Sequence, residues 1–127
     1  MAAEKINDSV GICLEAAYKR NVQTGEYDYL SPVFSRISGY TPEEMRQWSM
    51  ETLAALIHPE DQAETGRVMT ESESGASGAS YQLEYRFRHK DGQYRWFHDQ
   101  FTVVRDAAGQ LVARVGSVSD ITGGRRS

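Results

Sequence analysis

The chain has little cysteine and proline: Cys13 is the single cysteine among 127 residues, and there are 3 prolines. One cysteine excludes a disulfide within the chain and a metal site built from several cysteines. No apolar run approaches the roughly 18 residues that a membrane-spanning helix needs. Residues 1–8 also lack the apolar stretch of a signal peptide. We therefore expect no membrane span and a cytoplasmic, reducing location.

Positive charge is also in short supply, with 14 Lys and Arg against 18 Asp and Glu and a net charge of −4. Apart from the Arg125-Arg126 pair near the C-terminus, no basic stripe is visible. Nucleic acids and anionic membrane surfaces are bound through clustered Lys and Arg, so we expect neither as a partner. The length and the 39% hydrophobic content indicate one globular domain.

The prolines that are present mark helix starts in the first half of the chain. Thr41-Pro42-Glu43-Glu44 has the pattern of a capping box. Ser31-Pro32 predicts a helix over residues 32–38. His58-Pro59 predicts a longer helix that ends near Glu73, with His58 as a cap or hinge at its entrance. The middle of the chain is therefore predicted to be a block of short helices.

The second half alternates apolar and polar residues, which indicates strands. Strands are predicted near 83–88, at 94–105 and at 110–121, joined by the turns 90–93 and 106–109. Earlier in the chain, Thr24-Gly25 predicts a turn between a strand at Gly11–Lys19 and a strand at Tyr27–Leu30, after a helical cap at 1–10. Strands split by a helical block predict an α+β domain, with the helices on one face of an antiparallel sheet.

The motif set is similar to that of the PAS sensory domain family over about residues 11–122, including its C-terminal PAC-type motif. The residues that carry the resemblance are Thr24-Gly25-Glu26, Tyr29-Leu30-Ser31-Pro32, Gly39-Tyr40-Thr41-Pro42-Glu43-Glu44, Ile57-His58-Pro59-Glu60-Asp61, Lys90-Asp91-Gly92, Arg95-Trp96, Asp106, Gly109, Gly116 and Asp120-Ile121-Thr122. Each piece alone is weakly diagnostic. Their order and spacing together are specific.

The resemblance implies a PAS fold, a five-stranded antiparallel sheet in the order 2-1-5-4-3 with short helices over one face. It implies a sensory and dimerising module of the kind found in bacterial sensor kinases and cyclic-dinucleotide signalling proteins, and not an enzyme. Residues 11–122 would form the PAS domain and 123–127 the start of an output linker or a disordered tail. Asp120, Ile121 and Thr122 would relay the signal to an attached output domain.

Cofactor motifs of the family do not match this sequence. Its flavin-binding photosensors carry an Asn-Cys-Arg-Phe motif in the helical block, where this chain has Gln47-Trp48-Ser49. Cys13 is expected to be a small buried hydrophobe on the first strand. His58 lies before a proline at a helix entrance, which is a poor place for a haem ligand, and the three histidines lack zinc-ligand spacing. We expect no flavin photoadduct, no haem and no metal, and leave any other cofactor unassigned.

Period-two alternation turns one face of the long strand inward, under the helices. We predict that this face and the helices enclose an aromatic-rich interior. The candidate pocket residues are Phe34, Ile37, Leu53, Leu56, Met69, Tyr85, Phe87, Phe97, Asp99, Phe101 and Val118. The interior either binds a small molecule or is a filled core in a ligand-free interaction and dimerisation domain.

Asp99 is the unusual member of this set, since an inward carboxylate between Phe97 and Phe101 is costly unless it is paired. Four explanations stay open: a protein partner such as an arginine, a strand end open to water, a polar group of a ligand, or a register slip. A ligand paired with Asp99 and Tyr85 would be cationic or hydroxyl-bearing. A small enzyme with Asp99 as general base would need a second polar group, and the sequence offers no convincing one.

The opposite sheet face carries Trp96 and His98. Either this face is covered, by the N-terminal segment or by a second PAS domain, or Trp96 stacks on a neighbouring arginine. The resemblance implies a homodimer through the N-terminal segment and this face. Ile6, Val10, Trp96 and His98 are the predicted interface residues.

Overall fold

The computed structural model describes residues 15–123, and these residues form one antiparallel sheet and a block of helices. The strands are β1 (Glu15–Asn21), β2 (Tyr27–Leu30), β3 (Ser80–Arg88), β4 (Tyr94–Arg105) and β5 (Leu111–Asp120). The helices are α1 (Phe34–Ser38), α2 (Pro42–Arg46), α3 (Met50–Ala55) and α4 (Pro59–Glu73). The predicted helical cap at 1–10, Cys13 and residues 124–127 lie outside the described residues.

The sheet has five strands in the order β2-β1-β5-β4-β3, which confirms the predicted topology. The ends of β1, β3 and β5 differ from the prediction, and β3 begins at Ser80, three residues before Leu83. β1 continues past Lys19 because Arg20 and Asn21 still pair with Arg114 and Ala113 of β5. β5 covers Leu111–Asp120, so the predicted range 110–121 was one residue too long at each end.

The helix starts follow from capping chemistry. Thr41 accepts a hydrogen bond from the Glu44 backbone, and the Glu44 side chain accepts one from the Thr41 backbone, which confirms the capping box. His58 caps α4, since its Nδ1 accepts from the Glu60 backbone at 3.0 Å. The helix predicted to start at Pro32 instead begins at Phe34, after a turn closed by the bond from the Phe34 amide to the Ser31 carbonyl.

The helical block is fixed to the free edge of β3. The amide of His58 donates to the Arg86 carbonyl, and the Arg88 amide donates to the Leu56 carbonyl, both at 2.8 Å. Asp61, in the first turn of α4, accepts from the backbone and the guanidinium of Arg86. These bonds satisfy the exposed edge groups of β3 and hold the helices over one sheet face.

The core lies between that face and the helices. Its buried members come from both layers: Ala16, Leu30, Phe34, Ile37, Met45, Leu56, Ile57, Val68, Leu83, Tyr85, Phe87, Phe97, Phe101, Val103 and Val118. The rings of Phe87 and Phe97 stack with centroids 5.0 Å apart. Packing at the sheet face is therefore dominated by aromatic side chains.

Candidate ligand cavity

A cavity of about 530 Å³ lies between the inner sheet face and the helices. Most of the predicted pocket residues line it: Phe34, Leu53, Met69, Tyr85, Phe87, Phe97, Asp99, Phe101 and Val118. Ile37 and Leu56 do not. They are buried in the core, at 3% and 8% exposure, rather than on the cavity wall. Of these lining residues, Leu53, Met69 and Asp99 are only partly buried.

Asp99 points inward, as the alternation predicts, and has two protein partners. The hydroxyl of Tyr18 donates to its Oδ1 at 2.8 Å, and the hydroxyl of Tyr85 donates to its Oδ2 at 2.9 Å. The protein-partner explanation is thus confirmed, but the partners are neutral tyrosines and not an arginine. The register pairs Asp99 with Leu83 and Val118, so no slip turns it outward.

Burial sets the protonation chemistry of this cluster. Loss of water raises the pKa of Asp99 to about 6, and the two tyrosine hydrogen bonds only partly oppose that rise. The pKa values of Tyr18 and Tyr85 are raised well above the usual range, first by burial and then by the Asp99 charge. The cavity therefore contains a carboxyl group that titrates between its usual range and neutrality.

Gly116 makes the contact between Tyr18 and Asp99 feasible, a role that sequence reasoning missed. It lies opposite Tyr18 on β1 and Phe101 on β4. A Cβ at this position would come within 2.8 Å of the Tyr18 hydroxyl and 2.3 Å of the Gln100 carbonyl oxygen. Tyr18 thus reaches across a bare stretch of β5 to bond Asp99 on β4.

Two arginines on the cavity wall were also missed. Arg114 of β5 and Arg20 of β1 both line the cavity and are directly opposite each other in the register. Arg114 donates to the Ser72 hydroxyl at 3.0 and 3.2 Å and to the Met69 carbonyl. The predicted apolar pattern on β5 hid Arg114, because Val115, part of that pattern, is 42% exposed and points away.

The predicted relay segment is fixed to the start of β4. Asp120 bonds Arg95 at 2.6 Å, and the Ile121 amide donates to the Trp96 carbonyl at 2.8 Å. The Trp96 amide in turn donates to the Thr122 hydroxyl at 2.8 Å. Ile121 and Thr122 therefore extend the β4–β5 pairing past Asp120, the last residue of β5.

The predicted interface residues lie partly outside the described residues, which exclude Ile6 and Val10. Trp96 and His98 are partly exposed on the outer sheet face. The Arg86 guanidinium lies 4.9 Å from the centroid of the Trp96 ring, and His98 pairs with Gln82 at 3.1 Å. The arginine stacking that was one alternative for Trp96 is present, while coverage of this face by the N-terminal segment or another domain stays a prediction.

Within residues 15–123, no three His, Cys, Asp or Glu side chains are grouped so that they could hold a metal ion. No helix in the same range is long and apolar enough to cross a membrane.

Fold and cavity together define a class: a single antiparallel sheet with helices clasped over a ligand-sized interior. The family model described as PAS fold matches residues 27–118. A blue-light-activated histidine kinase of Brucella anthropi is 28% identical over 123 residues. That match covers 94% of this chain, and the chain spans only 23% of the length of this curated relative.

Solved structures agree. The N-terminal domain of a diguanylate cyclase with PAS/PAC sensor from Marinobacter aquaeolei is 32% identical, with a TM-score of 0.74, and the match covers 86% of this chain and 96% of that one. A sensory box histidine kinase/response regulator from Burkholderia thailandensis is 26% identical, with a TM-score of 0.70, over 96% and 86%. The chain belongs to the PAS fold family, and a role in signal sensing follows from that membership.

Proposed function

We propose that this domain is a sensor that binds a small molecule in the cavity and passes a conformational change to an attached output domain. The observation that carries the proposal is the cavity of about 530 Å³ with Asp99 on its wall. Ligand pockets typically enclose roughly 300–1,000 Å³ and combine apolar walls with a few placed polar groups. A space of this size argues against the filled-core alternative.

The relay is proposed to run through the β4–β5 pair. Val118 lines the cavity opposite Asp99, and Asp120 follows two positions later on the same strand. A ligand that displaces the inner side of β5 would alter the bonds that hold Asp120 and Thr122 to β4. Those residues are followed by the segment that would lead to an output domain.

The output is proposed to be a histidine kinase or a cyclic-dinucleotide enzyme, since relatives of both kinds match this chain. Homodimerisation through Ile6, Val10, Trp96 and His98, and a cytoplasmic location, are parts of the same proposal. No catalytic role is assigned to the domain itself. A cysteine photoadduct in the helical block is not proposed, because residues 42–55 contain no cysteine.

The ligand is tested by native and denaturing mass spectrometry of the purified chain, with an absorption spectrum recorded beside it. A mass that is lost on denaturation supports a ligand sensor and gives the mass of the molecule. A visible absorption band would identify flavin or haem instead and overturn the expectation of neither. A dimer without added mass that also fails to take up any small-molecule probe contradicts the ligand proposal and returns the interaction-domain alternative.

The relay is tested in a chimera with a histidine kinase output. Asp120→Ala and Thr122→Ala are expected to change kinase regulation while the circular dichroism spectrum stays native. Asp28→Ala is the matched control, because Asp28 is exposed on β2, away from the segment. Unchanged regulation in both relay variants would contradict the proposed route.

A further inference from the structure

The charges on the cavity wall differ in how well they are compensated. Asp99 already receives two hydroxyl donors. Arg114 is half-buried, but its hydrogen-bond partners among the described residues, Ser72 and Met69, are neutral. Burial lowers the pKa of its guanidinium, which still carries its charge near neutral pH. A buried cation without a counter-ion is costly, so this side of the cavity is the place where a charged ligand group would gain most.

Arg20 adds a second positive charge at the same place. It lies directly opposite Arg114 in the β1–β5 register, and its guanidinium is 4.6 Å from the Tyr27 ring centroid. Within residues 15–123, neither arginine forms an ion pair. Like charges directly opposite on a sheet repel one another. An anion between the two would remove that repulsion and accept the remaining guanidinium donors.

The protein anion that acts on Arg114 does not fill this role. Glu73, at the end of α4, lines the cavity and acts on Arg114 electrostatically, but the two form no ion pair. The Glu73 side chain is exposed, so solvent screens it. The wall beside Arg114 also carries an aromatic ring, since the Phe101 ring centroid lies 5.9 Å from its guanidinium.

We infer that the cavity takes an apolar molecule carrying one carboxylate, with the carboxylate held by Arg114 and Arg20 and the apolar part against Phe101 and the aromatic wall. This inference rests on the proposed function as a ligand sensor. The register places Val118, opposite Asp99, four residues along β5 from Arg114, which is about 13 Å of strand. The carboxylate would therefore be bound at the Arg114 side of the cavity, and this inference replaces the cationic or hydroxyl-bearing ligand expected from Asp99 and Tyr85 with an anionic one.

The test uses three probes that share one apolar part: phenylbutyrate, phenylbutanol and phenylbutylamine. Any co-purified ligand is first removed from the full chain. Each probe is then titrated into the protein by isothermal titration calorimetry. Phenylbutyrate is expected to bind about 10-fold or more tightly than phenylbutanol, because charge-assisted bonds to arginine exceed neutral ones. Phenylbutylamine is expected to bind most weakly.

Arginine variants test which side chains bind the carboxylate of phenylbutyrate. Arg114→Met is expected to remove the preference for phenylbutyrate while leaving phenylbutanol affinity within about 2-fold, and Arg20→Met to reduce the preference in part. Arg88→Met is the matched control, an exposed arginine of β3 that does not line the cavity, and it should keep the full preference. Should Arg114→Met fail to fold, added salt provides a second readout on the unaltered chain. It should weaken phenylbutyrate binding and leave phenylbutanol binding unchanged.

The outcomes separate this inference from the proposed function. If phenylbutanol or phenylbutylamine binds as tightly as phenylbutyrate, the carboxylate inference is wrong and the cavity remains a ligand site. If Arg114→Met folds and retains the preference, the assignment to Arg114 is wrong. If no probe binds at millimolar concentration, both the inference and the ligand-binding proposal are contradicted.

Discussion

Charged side chains are compensated differently inside the cavity of this domain and outside it. Outside the cavity, several carboxylates are paired with an arginine, among them Asp61 with Arg86 at 3.0 Å and Asp120 with Arg95 at 2.6 Å. We call these two the outer ion pairs. Inside the cavity, Asp99 is bonded to tyrosines and Arg114 to a serine and a carbonyl, so acid and base stay apart.

This difference in charge compensation shifts the pKa values of Asp61 and Asp99 in opposite directions. The Arg86 guanidinium lowers the pKa of Asp61, whereas burial raises the pKa of Asp99 to about 6. An ion pair at the sheet edge holds α4 on β3 and stabilises the fold. A carboxyl group and a guanidinium without opposite charges cost stability, and the raised pKa of Asp99 leaves the cavity able to respond to a proton.

The largest expected effect on stability comes from adding a side chain at Gly116 of β5, where Tyr18 crosses the strand to reach Asp99. Gly116→Ala should lower the free energy of unfolding by about 3 kcal/mol, because the new methyl group overlaps the Gln100 carbonyl and the Tyr18 hydroxyl. Gly66→Ala in α4 is the control: a Cβ there meets nothing within 4 Å, and alanine should stabilise the helix by about 0.5 kcal/mol. Urea unfolding measures both variants. Equal stabilities would show that the absence of a side chain at Gly116 is not required by the packing around it.

The next largest effect is the pH dependence of the free energy of unfolding that Asp99 causes. The pKa of Asp99 is about 6 in the folded protein against an ordinary 3.8, so protonation favours folding. The resulting stability is complete below the ordinary value and is lost as the pH rises through about 6. Between about pH 4.5 and about pH 7 the loss is about 2 kcal/mol by linkage.

Urea unfolding of the unaltered chain and of Asp99→Asn at these two pH values isolates that loss. Groups that titrate elsewhere are common to both proteins and cancel in the difference. Equal pH dependence in the two proteins would mean that Asp99 is not protonated more readily in the folded state.

The outer ion pair should respond in the opposite direction. Asp61→Asn is expected to lower the free energy of unfolding by roughly 1.5 kcal/mol at neutral pH, because the carboxylate accepts from the backbone amide and the guanidinium of Arg86. Its contribution is present above the ordinary pKa of 3.8 and is lost as the pH falls through the lowered value. Asp28→Asn on the exposed β2 position should stay within about 0.5 kcal/mol, and a similar loss there would remove the distinction.

The smallest expected effect on stability comes from removing one of the two hydroxyl groups that donate to Asp99. Tyr85→Phe removes a hydrogen bond to Asp99 and should cost about 1 kcal/mol near neutral pH, where the carboxylate needs its donors most. Tyr81→Phe is the control, since Tyr81 stacks on Phe101 with ring centroids 5.5 Å apart. Thermal unfolding of both variants should show a loss for Tyr85→Phe alone. Equal losses would indicate ring packing instead of the hydrogen bond.

Much of the architecture was predictable, because its signals are local. The capping box at Thr41 and the proline after His58 fix helix starts within one turn of chain. Strict alternation in β4 gave its bounds and the inward orientation of Asp99. The order of strands came from the family resemblance, since local patterns do not specify which strands pair.

The polar groups of the cavity were less predictable, because they depend on contacts between distant strands. The partner Tyr18 lies 81 positions from Asp99, and their contact depends on the missing side chain of Gly116 between them. Arg114 was hidden by valines on both faces of β5, of which Val118 points inward and Val115 outward. Helix residues were assigned to the pocket by hydrophobicity alone, which does not separate a cavity wall from the core behind it, as Ile37 illustrates.

The most direct test of the difference between the cavity and the outer ion pairs is a pH titration of the side-chain carboxyl carbons by NMR. Asp99 is expected to titrate at about 6, and Asp61 below its ordinary 3.8, in the same sample. A midpoint for Asp99 at or below 3.8 would show that its charge is compensated in the folded protein. That result would contradict a cavity that keeps its acid and its base without partners of opposite charge.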